Sequence, residues 1–178
     1  RVFVRSLATR RAHMATSPAV KDALALLQLA GFDLIILETA GIGQSDSAVS
    51  DLAGTSVYVM TPEYGAPSQL DKIDMLDFAD LVVINKSDKR GAQDALRDVR
   101  KVVQRNRKLF DQPAEAMPVF ATAAHRFHDR GTNALFNALV SRLNQRQAGR
   151  FVAAPLVEGE PAQGALIPAP RTRYLGEI

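Results

Sequence analysis

Four consecutive residues, Asn85-Lys86-Ser87-Asp88, carry the sharpest chemistry in this 178-residue chain, and they follow the apolar run Leu81-Val82-Val83-Ile84 directly. An ionised carboxylate accepts two parallel hydrogen bonds from donors that lie side by side. Guanine presents such a pair in its N1–H and exocyclic amino group, and adenine does not. Asp88 is therefore a candidate reader of guanine. Asn85 suits either contact with the purine edge or bracing of neighbouring loops, and the Lys86 stem suits covering the base face. The competing reading is a polar turn that caps the helix beginning near Gly91.

Two further loops sit behind apolar runs. Glu38-Thr39-Ala40-Gly41-Ile42-Gly43-Gln44-Ser45 follows Leu34-Ile35-Ile36-Leu37. An acid at a strand end holds Mg²⁺, usually through water, because magnesium keeps part of its hydration shell. Gly41 lets a backbone N–H approach a terminal phosphate with no Cβ in the way. Taken alone, this pattern is also ordinary turn chemistry. After Pro118-Val119-Phe120 come Ala121-Thr122-Ala123, small residues whose backbone N–H groups suit a purine carbonyl.

The elements that must position these loops follow from periodicity. Val2-Phe3-Val4, Leu34–Leu37, Ser56–Met60, Leu81–Ile84 and Pro118–Thr122 read as strands, the central ones as continuous apolar runs of the kind buried in a parallel sheet. Between them lie helical segments: one opened by Ser17-Pro18 and stopped at Gly31, one across Leu70 to Phe78, a charged one from Ala92 to Phe110, and one from Asn133 to Leu143. Strands alternating with helices predict an α/β fold with a mostly parallel sheet. In such sheets ligands sit beyond the carboxyl ends of the strands, where all three loops fall. From Gln147 onward Pro155, Pro161, Pro168 and Pro170 stand among Ala and Gly, a linker composition.

Bulk properties exclude several classes. With 47% hydrophobic and 23% charged residues the chain is ordinary globular material. Its net charge is +3, and no strip of basic residues interleaved with aromatics predicts nucleic-acid binding. Arg97, Arg100, Lys101, Arg105, Arg107 and Lys108 read as a solvated helix face. The absence of Cys removes disulfides, thiolate zinc sites and Cys nucleophiles, and fits a reducing, cytoplasmic setting. No apolar run is long enough to cross a bilayer. His125 and His128, beside Asp129, have no further ligand nearby in sequence and read as surface residues.

Acid-x-x-Gly, then Asn-Lys-x-Asp, then a small-residue loop, each behind a strand, resembles the third, fourth and fifth guanine-nucleotide motifs of P-loop GTPases. Glu38-Thr-Ala-Gly-Ile-Gly-Gln-Ser45 is similar to the signature of the chaperones for cobalamin-dependent acyl-CoA mutases, in which a Glu replaces the usual Asp. Phe3–Arg10, Tyr58–Gly65, Lys72–Asp80 and Asp94–Arg100 look most like the G-protein domain inside the fused isobutyryl-CoA mutases. Pro168–Gly176 is similar to the passage that leads from that domain into the substrate-binding mutase domain. The resemblance divides the chain into residues 1–145, the C-terminal part of the GTPase domain, and 146–178, a linker.

By that resemblance Glu38 belongs to the Mg²⁺ shell and Gly41 to the γ-phosphate contact. Asn85, Lys86 and Asp88 belong to guanine recognition, with Thr122 and Ala123 in the fifth-motif loop. Arg5, Ser6, Thr9, Arg10, Thr39 and Gln44 fall in switch regions. Gln44 is the candidate for orienting the attacking water, although it lies three residues after the glycine rather than one. The implied cofactors are GTP or GDP and Mg²⁺, with adenosylcobalamin bound elsewhere in the parent enzyme. The implied partners are the cobalamin-binding and acyl-CoA-binding mutase domains of the same polypeptide, an adenosyltransferase, and a second copy in a homodimer.

Gly-x-x-x-x-Gly-Lys-Ser/Thr occurs nowhere in the chain, so the lysine and hydroxyl that hold the β- and γ-phosphates are missing. The chain is expected to be an excerpt of a longer polypeptide, with negligible GTP hydrolysis by itself; a relic that binds nothing is the competing explanation. A free-standing chaperone GTPase and an interaction module without hydrolysis are the alternative functions.

Overall fold

The computed structural model describes residues 2–7, 17, 19–39, 51–64, 70, 73–126, 129–146 and 151–152. At its centre three parallel strands, β1 (Val57–Met60), β2 (Leu81–Asn85) and β3 (Val119–Thr122), are ordered β1-β2-β3. The register places Met60 beside Ile84 and Ile84 beside Ala121, and sets Asn85 directly beside Thr122. The first four residues of β2 are all buried, as an apolar run covered on both faces requires.

Among the described residues four α-helices accompany the sheet: α1 (Val20–Leu29), α2 (Met75–Phe78), α3 (Ala92–Asn106) and α4 (Arg130–Arg146). α1 stops where the glycine stands: Gly31 takes φ +78°, and its N–H donates to the Gln28 carbonyl at 3.0 Å. The Ser17 hydroxyl accepts from the Ala19 N–H at 3.4 Å, and the Ser17 carbonyl accepts from the Val20 N–H at 3.0 Å, just ahead of the first helical residue. α3 buries Ala92, Ala95, Val99 and Val103, a three-and-four spacing that draws one apolar stripe along a charged helix. That stripe meets Leu70, Leu76, Val82, Ile84, Met117 and Val119 in the main core.

α4 approaches β3 closely. A Cβ on Gly131 would stand 1.7 Å from the Ala121 carbonyl oxygen, so only glycine permits this contact in the first turn. At the opposite end of the sheet, Asp80 accepts from the Ser56 N–H at 2.9 Å and from the Arg142 Nε–H at 3.1 Å, with Arg142 Nη2 on the same oxygen. Burial alone would raise the Asp80 pKa, but the Ser56 amide and the Arg142 guanidinium outweigh it and hold it below the usual carboxylate value.

Three expectations are corrected. Leu34–Leu37 and Val2–Val4 are not strands and lie outside the sheet. A strand exists through its hydrogen-bonded neighbour, and among the described residues neither run has one; Val4 is 87% and Ile36 82% exposed. Instead the two runs and α1 line a cavity of about 1020 Å³, and the Phe3 and Phe32 rings stand 6.4 Å apart across its wall. The helix expected across Leu70–Phe78 is regular only from Met75 to Phe78 among the described residues of that stretch. Nor is the basic face of α3 wholly solvated. Arg97 pairs with Asp94 and Asp98, whereas half-buried Arg100 and Arg107 turn inward and donate to the carbonyls of Val119 and Ala79. Among the described residues no helix is long and apolar enough to cross a membrane.

Candidate functional site

The carboxyl ends of β2 and β3 open into two loops that are tied to each other. Because Asn85 and Thr122 are register partners, their side chains project together. The Thr122 hydroxyl donates to Asn85 Oδ1 at 3.2 Å, and the Ala124 N–H donates to the same oxygen at 3.2 Å. The Ser87 N–H extends the parallel ladder by donating to the Thr122 carbonyl at 3.0 Å. Of the two roles that the sequence allows Asn85, bracing of the neighbouring loop is the one its side-chain oxygen performs here.

Lys86 sits at φ +59°, in the left-handed region that side-chain-bearing residues rarely adopt. The turn closes when the Lys89 N–H donates to the Lys86 carbonyl at 3.0 Å. This bend directs the chain away from the sheet and sets Asp88 at the rim, with its side chain 31% exposed. Backbone strain of this kind persists where surrounding bonds over-determine it, which is common at ligand sites. Among the described residues no hydrogen bond engages the Asp88 carboxylate, and His125 Nδ1 lies 3.8 Å from Asp88 Oδ1.

The small-residue loop is held from below by Asp129. Its Oδ2 accepts from the Ala123 N–H at 3.1 Å, from the Thr132 N–H at 2.8 Å and from the Thr132 hydroxyl at 2.9 Å. One carboxylate thus caps α4 and fixes the turn after β3. Burial pushes its pKa up, but the bonds from Ala123 and Thr132 outweigh this and lower it. Beyond β1, Glu63 pairs with Lys89 at 3.2 Å. The Thr61 hydroxyl, Glu63's own backbone N–H and Lys89 bring its pKa down to about 2. All three strand ends therefore meet through the loop Lys86–Arg90.

Of the residues expected from sequence, Asn85, Lys86, Asp88, Thr122 and Ala123 come together at this edge. Arg5, Ser6, Glu38 and Thr39 form a second group around the cavity beside α1, which no described residue of the loops after β2 and β3 lines. Thr9, Arg10, Gly41 and Gln44 lie outside the described residues. The sequence marks His125, beside Asp129, as a surface residue and gives Glu63 no part. Asp129-x-x-Thr132 is a helix-cap spacing visible in the sequence, and Glu63 stands just beyond a strand end as the motif residues do.

The edge fits the base of a guanine nucleotide on the chemistry of its donors and acceptors. An exposed carboxylate, Asp88, follows the strained turn at exposed Lys86. Exposed Glu38, followed by Thr39, supplies oxygen of the type Mg²⁺ selects.

Comparison with known proteins identifies the family. Residues 1–152 match the family model of the methylmalonyl-CoA mutase-associated GTPase MeaB. The whole chain is 48% identical to part of the fused isobutyryl-CoA mutase of Geobacillus kaustophilus, covering 16% of that protein. It is 51% identical to part of the corresponding protein of Paraburkholderia xenovorans, covering all of the chain and 14% of that protein. Identity to the fused isobutyryl-CoA mutase of Cupriavidus metallidurans is also 51%, over 99% of the chain and 16% of that protein. The chain thus spans about a sixth of the length of the curated relatives it matches. It belongs to the family of methylmalonyl-CoA mutase-associated GTPases, MeaB.

Proposed function

We propose that residues 1–145 form the guanine-recognising and switch-bearing part of a GTPase domain in a fused, adenosylcobalamin-dependent acyl-CoA mutase of the isobutyryl-CoA type, and that 146–178 link it toward the substrate-binding domain. The observation that carries this reading is the Asp88 carboxylate, presented at the rim by the left-handed Lys86 turn and the Asn85 brace. Asp88 takes the N1–H and amino group of guanine, and Lys86 covers the base; Ala123, whose N–H is held by Asp129, fixes the shape of the turn that flanks the purine rather than donating to it. Thr122 acts through Asn85.

Glu38 enters the Mg²⁺ shell through water, Gly41 meets the γ-phosphate, and Gln44 orients the attacking water. Mg²⁺ supplies neutralisation of charge on the phosphates when bound. Nucleotide state biases the ordering of residues 5–10 and 38–50, including Arg5, Ser6, Thr9, Arg10 and Thr39. That bias gates cobalamin loading at the mutase domains. An adenosyltransferase is the donor that fits this task, and the parent enzyme acts in the cytoplasm as a homodimer. No residue here performs the acyl rearrangement. The sequence holds no phosphate-binding lysine, so this segment by itself does not turn over GTP.

The test is Asp88→Asn in the full-length protein. An amide offers one acceptor and one donor, which matches the N1–H and C2 carbonyl of xanthine rather than the paired donors of guanine. Loss of one charge-assisted bond costs roughly 2 kcal/mol, so GDP affinity falls about 30-fold while affinity for xanthosine diphosphate rises. Unchanged preference for guanine in this variant would overturn the assignment.

A further inference from the structure

His125 stands on the loop after β3 with Nδ1 3.8 Å from Asp88 Oδ1, inside ion-pairing range and beyond hydrogen-bond length. Its side chain is 59% exposed, so the imidazole has room to turn toward the carboxylate. The backbone beneath it is fixed. The Ala123 N–H is tied to Asp129, the Ala124 N–H to Asn85, and the Arg126 N–H donates to the Ala123 carbonyl at 2.7 Å. The loop therefore keeps the imidazole beside the carboxylate while leaving the ring free to rotate.

Among the described residues the charged side chains of the surrounding loops are Lys86, Asp88, Lys89 and Arg90 after β2, Arg126 and Asp129 after β3, and Glu63 and Asp74 after β1. Lys89 is engaged by Glu63, and Asp129 by Ala123 and Thr132. Among the described residues Asp88 is the acid within 4.0 Å of the imidazole.

We propose that His125 is a specificity-determining residue that tunes how firmly Asp88 holds the exocyclic amino group of guanine. Neutral imidazole leaves both carboxylate oxygens to the base. Protonated imidazole swings onto Oδ1 and competes with the amino group for it. Histidine is the side chain whose ordinary titration range makes such competition adjustable near neutral pH. Discrimination for guanine then weakens as pH falls. The inference rests on the reading of Asp88 as the base-recognising carboxylate.

The test compares GDP with inosine diphosphate, which lacks only the amino group, on the full-length fused protein. The terminal phosphate also titrates near this range. It does so equally in both nucleotides, so the ratio of their dissociation constants isolates the base. Between about pH 8 and about pH 6 the preference for GDP falls about two- to fivefold, the scale of one exposed ion pair. His125→Gln removes that pH dependence, and Asp88→Asn collapses the preference at both pH values. A wild-type ratio that is flat with pH, or one that falls equally in His125→Gln, would overturn the role of His125 and leave Asp88 as the base reader. An unchanged ratio in Asp88→Asn would overturn the underlying reading as well.

Discussion

The loops after β2 and β3 and the segment Glu38–Thr39 all follow runs of aliphatic residues, yet they occupy different physical situations. Leu81–Ile84 is buried on both faces between two hydrogen-bonded neighbours, so Asn85 and Asp88 emerge from a strand held on both sides. Leu34–Leu37 is extended without a ladder among the described residues, and Ile36 is 82% exposed. Its acidic loop thus hangs from an apolar segment that lines a cavity rather than filling a core. A run of Leu and Ile carries the capacity to be a central strand, and neighbours decide whether it becomes one. The candidate base-reading residues Asn85 and Asp88 stand where the packing is complete. The candidate phosphate-sensing residues Glu38 and Thr39 belong to the part with less support.

Core substitutions give the largest test of that contrast. Leu76, wholly buried against α3, should cost about 2–5 kcal/mol when changed to Ala, read as a fall in the urea midpoint. Asp80→Asn is next, at about 1–3 kcal/mol, because the Ser56 amide and Arg142 lose a charged partner. Its sign with pH is definite. The folded pKa lies below the unfolded one, so the contribution is complete above roughly pH 4 and is lost as pH falls through the folded value. Acid titration of stability should therefore be steeper for the wild type than for Asp80→Asn. The smallest effect is expected from Ile36→Ser, within about 0.5 kcal/mol by the same urea assay. A loss comparable to that of Leu76→Ala would mean that the run is covered, and the contrast between the two regions would disappear.

The alternation of apolar runs and helical stripes made the parallel sheet and its sequence of elements legible, because burial on both faces leaves a compositional mark. Asp88 was legible because a carboxylate and a base edge match by donor count. What could not be read depended on long-range pairing. Nothing local distinguishes Leu34–Leu37 from Leu81–Ile84, and nothing local says that Arg100 and Arg107 point inward while Arg97 stays with its acids. The bracing role of Asn85 rests on its register with Thr122, which is 37 residues away. α4 begins at Arg130, ahead of the Asn133 expected from the apolar spacing, and the lack of a Cβ on Gly131 is what lets that first turn press on Ala121.

That close contact gives α4 a mechanical character. The helix runs 17 residues, about 25 Å at 1.5 Å per residue, from the cap at Asp129 to Arg142 and Arg146. Near its head, Asp129 grips the turn after β3. Toward its tail, Arg142 clasps Asp80, and Asn144 pairs with the backbone of Phe151 through both its amide oxygen and its nitrogen. A rod pinned to the sheet at both ends makes the turn after β3 and the far end of the helix share one rigid support.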